Sequence, residues 1–115
     1  MGLSDREAEY LFHRAKDSSC FTESGEEIVR VTAIDEIIKE PVTFLKLDIE
    51  GAELSAIKGA EKTIRRDKPK CAVSIYHKPE DIWEIPALLL EYNPDYRLFI
   101  RHYTLLQYET VLYAL

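Results

Sequence analysis

The sequence predicts an α/β domain with a mostly parallel sheet and an antiparallel last strand. Three observations carry that expectation. After Gly25 the apolar residues alternate between strand-like runs and segments with helical spacing, as in successive βαβ units. The runs Thr43–Ile49 and Cys71–Tyr76 are almost continuously apolar, as strands buried on both faces are. The link from Arg101 to Thr110 is too short for a crossover helix, so the strand after it must return antiparallel.

The elements follow in order. Ser4 with Glu7 three residues on has the form of a capping box, and Ala8, Leu11, Phe12 and Ala15 make one apolar stripe. These predict a helix from Ser4 to about Lys16, followed by a polar loop over Asp17–Glu27. Ile28–Ala33 is β-branched and reads as a strand. Ile34–Lys39 reads as a short helix that stops before Pro41. After the Thr43–Ile49 strand, Leu54, Ile57, Ala60 and Ile64 mark one helix ending at Arg65-Arg66, where cations suit the helix dipole and Pro69 blocks continuation. Past Cys71–Tyr76, a helix spans about Pro79 to Tyr92. Asp81 and Glu84 offer a second cap, and Pro86 should kink or divide it. Asn93-Pro94-Asp95 is a turn, and Tyr96–Arg101 and Thr110–Ala114 are the closing strands.

The 115 residues suffice for one domain, and 46% hydrophobic content supports a core. The net charge of −6 argues against nucleic acid and against a polybasic membrane anchor. No apolar run has the length of a membrane span, and the first residues lack a basic then apolar signal region. Cys20 and Cys71 match no metal or redox spacing. Reduced thiols and a cytoplasmic location are the expectation.

In an open parallel sheet, ligands bind beyond the carboxyl ends of the strands. Three predicted ends carry reactive side chains: Asp48, Glu50 and Gly51; Tyr76, His77 and Lys78; Arg101, His102 and Tyr103. Glu109 opens the antiparallel strand at the same edge. Each has a plainer reading: Asp48 and Glu50 as helix caps, His77 as a loop histidine, Arg101 as a surface residue, Lys78 as solvated. Tyr10, Leu11 and Phe12 read as packing or an interface rather than a cofactor box. No metal site is assigned, because no ligand pair has helical i, i+4 spacing. With four glycines, at 2, 25, 51 and 59, no GxGxxG phosphate cradle can be written, and no GxSxG is present.

The run Thr43-Phe44-Leu45-Lys46-Leu47-Asp48-Ile49-Glu50-Gly51-Ala52-Glu53 resembles the FkbM family of S-adenosylmethionine-dependent methyltransferases. The resemblance continues through Leu54–Glu61 and Ser74–Pro86. It returns at Tyr96–Tyr103 and Glu109–Ala114, so that it spans the chain from near Glu23 to Leu115. It divides the chain into residues 1–22, an N-terminal helix and loop, and residues 23–115, the C-terminal part of an FkbM-like domain. It implies part of a Rossmann-like methyltransferase sheet and methylation of hydroxyls on sugars or related metabolites.

By the same resemblance, Asp48, Glu50 and Gly51 lie beside the cofactor, and His77, Asp48 and Glu50 lie at the reacting groups, with His77 the expected base. Tyr76, Lys78, Arg101 and Glu109 are assigned to the small-molecule acceptor. The family's Gly-rich cofactor turn and its ribose-binding acid have no counterpart in this sequence. The expectation is therefore a truncated enzyme that binds S-adenosylmethionine weakly alone. Its expected partner is a second copy or a chain supplying the missing half. The alternative is a non-catalytic scaffold domain, or a degraded gene fragment, that keeps half of the fold.

Overall fold

A computed structural model describes residues 2–14, 19–22, 27–105 and 109–115. The chain runs β1 (Gly2–Leu3), β2 (Ala8–Arg14), β3 (Ser19–Thr22), β4 (Glu27–Thr32), α1 (Ile34–Ile37), β5 (Phe44–Leu47), α2 (Glu53–Lys58), α3 (Glu61–Asp67), β6 (Lys70–Ser74), α4 (Asp81–Tyr92), β7 (Leu98–His102) and β8 (Thr110–Ala114). The strands form two four-stranded sheets, ordered β1-β4-β2-β3 and β5-β6-β8-β7.

In the second sheet β5 lies parallel to β6, whereas β8 runs antiparallel to both β6 and β7. The antiparallel last strand is as expected. β5, β6 and β7 also run the same way, as expected of a mostly parallel sheet; the departure is that the strands divide between two mixed sheets, with β1–β4 and β5–β6 the parallel pairs among the described residues. β8 inserts between β6 and β7, so one reversed strand makes two antiparallel pairings. The architecture is α/β with mixed sheets.

The N-terminal helix is also corrected. Ser4 continues the β1–β4 pairing by donating its N–H to the Thr32 carbonyl at 2.9 Å, and its hydroxyl turns to Asp5 Oδ1 at 3.1 Å rather than capping a helix. Ala8–Arg14 pairs with β4 on one side and β3 on the other. Tyr10-Leu11-Phe12 has strand propensity, and here sheet pairing overrides the helical stripe. β3 lies inside the segment expected as a loop. The side chains of Tyr10, Leu11 and Phe12, and residue 15 of the stripe, lie outside the described residues.

Helices α2–α4 pack on one face of the β5-β6-β8-β7 sheet. Leu47, Ile57, Ile64, Val73, Ile85, Leu89 and Leu112 fill that layer and are buried. The stripe Leu54, Ile57, Ala60, Ile64 faces this core as expected, but the expected single helix is two. The break falls at Gly59. A Cβ there would come within 2.1 Å of the Ser4 carbonyl oxygen, and the Gly59 carbonyl accepts the Asp35 N–H at 2.9 Å. Asp35 then caps α3 from outside, accepting the N–H groups of Lys62 and Thr63 at 2.8 Å each.

Pro86 does not divide α4, which runs unbroken from Asp81 to Tyr92. Cys71 is buried and free, and burial pushes its thiol pKa up.

β5 is an edge strand with one open face, not a strand buried on both sides. Phe44 is 57% exposed, and Phe99, on the same face of β7, is 49% exposed. A continuous apolar run signals two-sided burial only when a second layer is present. Among the described residues, none covers this face.

Candidate functional site

The site is built at the carboxyl ends of β5 and β6, which lie side by side and parallel. β5 ends at Leu47 and the chain turns sharply over Asp48–Ala52. Glu50 has φ 59° and Gly51 φ 101°, so two successive residues occupy the left-handed region. Glycine tolerates this without cost; Glu50 does not. A Cβ on Gly51 would meet Lys78 Cε at 3.3 Å and His77 Cβ at 3.8 Å, so the turn lies directly against the end of β6.

Glu53 holds that turn. It is fully buried at the start of α2, and its carboxylate accepts the N–H groups of Ile49 and Gly51, each at 2.9 Å. Asp48 and Glu50 therefore do not cap α2, whose N-cap position, Ala52, receives no side-chain hydrogen bond. Both carboxylates are about half exposed, at 49% and 48%.

His77 fills the space between these acids. Its side chain is 10% exposed. Nδ1 lies 3.0 Å from Glu53 Oε1; Nε2 lies 3.4 Å from Glu50 Oε2 and 3.8 Å from Asp48 Oδ1. None of the three contacts is aligned as a hydrogen bond, and both ring nitrogens are shut off from solvent. Tyr76 stacks on the imidazole with ring centroids 4.0 Å apart and donates its hydroxyl to Asp48 Oδ1 at 3.4 Å. Burial first, then the charges of Asp48 and Glu50, push the Tyr76 phenol pKa up, which keeps it a proton donor.

Asp81 lies at the first turn of α4, 1% exposed, and neither carboxylate oxygen has a hydrogen-bond partner among the described residues. Desolvation, followed by the charge of Glu53, pushes its pKa up to about 6. It is not the exposed cap that its sequence position suggests.

Beside this cluster a cleft of about 280 Å³ opens on the uncovered face of the sheet. Asp48, Tyr76 and Glu109 line it with Lys46, Tyr103 and Tyr113. The Tyr103 and Tyr113 hydroxyls share a hydrogen bond. The fold thus gathers Asp48, Glu50, Gly51, Tyr76, His77 and Lys78 around one turn and brings Glu109 to the cleft. Arg101 does not line the cleft; it is exposed on β7 with its guanidinium 6.0 Å from the Tyr103 ring centroid. His102 is tied to Thr110 Oγ1 at 2.8 Å.

Sequence reasoning gave no role to Glu53 and read Asp81 only as a possible helix cap. The available signal for Glu53 was its place two residues after a glycine turn and at the start of a helix. Its full burial could not be read from that.

The methyltransferase FkbM domain family model matches residues 4–105. The chain belongs to the FkbM methyltransferase family. A crystal structure of methyltransferase FkbM from Methylobacillus flagellatus KT is similar to it, with 35% identity and a TM-score of 0.80. That match covers 99% of this chain and 27% of the other, so the chain spans about a quarter of the length of its structural relative. No curated protein matches this FkbM-family chain. None of its described helices is long and apolar enough to cross a membrane.

Proposed function

We propose that this chain forms the acceptor side of an S-adenosylmethionine-dependent O-methyltransferase site acting on a hydroxyl of a sugar or related metabolite. The observation that supports this reading is the meeting of His77, at the end of β6, with Asp48 and Glu50, at the end of β5. The order β5-β6-β8-β7, with β8 reversed, supports reading the sheet as half of a Rossmann-like one.

The residues present fit the cationic end of the cofactor. Two half-exposed carboxylates sit on a turn that Gly51 packs against His77 and Lys78. Asp48, Glu50 and Gly51 would hold that end. S-adenosylmethionine supplies, when bound, an electrophilic methyl group carried on a sulfonium.

This chain's own residues handle the acceptor. The acceptor hydroxyl gives its proton to Asp48, which lines the cleft, and Asp48 passes it to His77 Nε2, 3.8 Å behind it. Buried Glu53, facing Nδ1 at 3.0 Å, orients the ring and stabilises the imidazolium that forms. Tyr76 fixes Asp48 by its hydroxyl, and Glu109, which lines the cleft, supplies a carboxylate to the acceptor.

The test is transfer of labelled methyl from S-adenosylmethionine to a panel of sugar hydroxyls. Replacing a general base slows reaction by about 10²–10⁴-fold, and His77→Ala should do so. Full rate in His77→Ala, or no transfer to any hydroxyl offered by an assembly of this chain with a cofactor-binding half, refutes the reading.

A further inference from the structure

We propose that Asp48, Glu50 and His77 form a binding site for a divalent first-row transition cation, with Glu53 as the outer-sphere carboxylate that orients the histidine. The inference concerns cation binding and does not rest on the methyltransferase reading.

One donor atom from each of the three residues lies within 4.8 Å of the other two. Metal–ligand bonds of about 2.1 Å meeting at 90–110° place donor atoms about 3.0–3.5 Å apart. Nε2 to Glu50 Oε2, at 3.4 Å, is in that range, and Nε2 to Asp48 Oδ1, at 3.8 Å, lies just outside it. These separations are long for direct hydrogen bonds and suit an ion between the groups.

The histidine supplies an independent observation. Its side chain is nine-tenths buried, its Nε2 lies closest to the two carboxylates, and neither ring nitrogen has a hydrogen-bond partner among the described residues. A buried nitrogen left without a partner is costly. A cation on Nε2 would satisfy it, and Glu53 Oε1, 3.0 Å from Nδ1, would complete the carboxylate–histidine–metal arrangement that fixes tautomer and ring direction.

The donor set selects the ion class. Two carboxylate oxygens and one imidazole nitrogen suit manganese, iron or zinc better than calcium, which takes oxygen throughout. Asp48 and Glu50 are half exposed, so the remaining coordination positions face solvent. A cation here occupies the same Nε2 lone pair that accepts a proton, so cation and proton compete for it.

The experiment is a Mn²⁺ titration of the untagged 115-residue chain without cofactor, followed by loss of the free-ion electron paramagnetic resonance signal. Pulsed measurements on the bound ion detect coupling to an imidazole nitrogen. Saturable one-site binding with that nitrogen coupling is expected. His77→Ala should remove the coupling and weaken binding at least tenfold. Asp48→Asn, a half-exposed change that leaves the core intact, should also weaken it about tenfold or more. Circular dichroism verifies that both variants are folded. No saturable binding below about 1 mM, or the same affinity and nitrogen coupling in His77→Ala, overturns the proposal. If folded Asp48→Asn binds like the wild type, the three-ligand assignment also fails. Because no methyl donor is present, these outcomes are separable from failure of the methyl-transfer test.

Discussion

Glu53 Oε1 stands 3.0 Å from His77 Nδ1, joining a fully buried carboxylate on α2 to the imidazole that follows β6. The same carboxylate accepts the N–H groups of Ile49 and Gly51. One acid therefore holds the turn bearing Asp48 and Glu50 and stands beside the ring facing them.

Glu53→Ala leaves two backbone donors without a partner and opens a void. Each unsatisfied buried donor costs about 1–3 kcal/mol. A loss of about 2–5 kcal/mol is expected in urea denaturation, with a fall of many degrees in Tm. Glu53→Gln keeps one acceptor oxygen and should lose about half as much. Equal stability of Glu53→Ala and wild type refutes the turn-holding role.

Asp48→Asn should separate function from folding. The side chain is half exposed and caps no helix, so Tm should stay within a few degrees. Methyl transfer by an active assembly containing the chain should collapse in this variant. A large drop in Tm would instead assign Asp48 a structural role.

The chain alone should bind S-adenosylmethionine more weakly than about 10 μM by calorimetry. The cleft is about 280 Å³, at or below the lower end of ligand pockets, which run from about 300 to 1,000 Å³. Tighter binding would show that the described half of the site suffices.

Asp81 gives a pH prediction with a definite sign. Its folded pKa is raised to about 6, above the usual 3.8, so the folded state binds its proton more tightly than the unfolded state. Its contribution to stability is fully present below about pH 4 and is lost as pH rises through about 6. Asp81→Asn should match the wild type near pH 4. At pH 7.5 it should be more stable, by on the order of 2–3 kcal/mol at most. Denaturation curves at the two pH values decide it. A variant less stable than wild type at pH 7.5 contradicts the assignment.

We propose that the open edge of β5 pairs with a second copy of the chain. An unpaired edge strand exposes N–H and C=O groups, and exposed Phe44 and Phe99 add apolar area on the adjoining face. Sedimentation at micromolar concentration should give a mass above 13.4 kDa, and Phe44→Glu should lower it. A clean monomer of wild type would end the proposal.

The sequence by itself determined the elements from Ile28 onward apart from the break at Gly59, the core stripe through Ile57 and Ile64, and the return of β8. It also marked the two strand ends that carry Asp48, Glu50 and His77. Those features are local: period, β-branching, turn residues and link length are all written in consecutive residues. Only the tertiary structure decided the rest. Ala8–Arg14 carries both a helical stripe and aromatic strand formers, and pairing with β3 and β4 settles it as strand. The predicted helix breaks at Gly59, whose carbonyl accepts the Asp35 N–H and whose missing side chain leaves room for Ser4, far away in sequence. Asp81 reads as a helix cap and Glu53 carries no reading of its own, and the burial of both depends on α2 and α4 packing on the same sheet face. His77 meets three carboxylates because β5 and β6 end side by side, and no spacing along the chain encodes that distance.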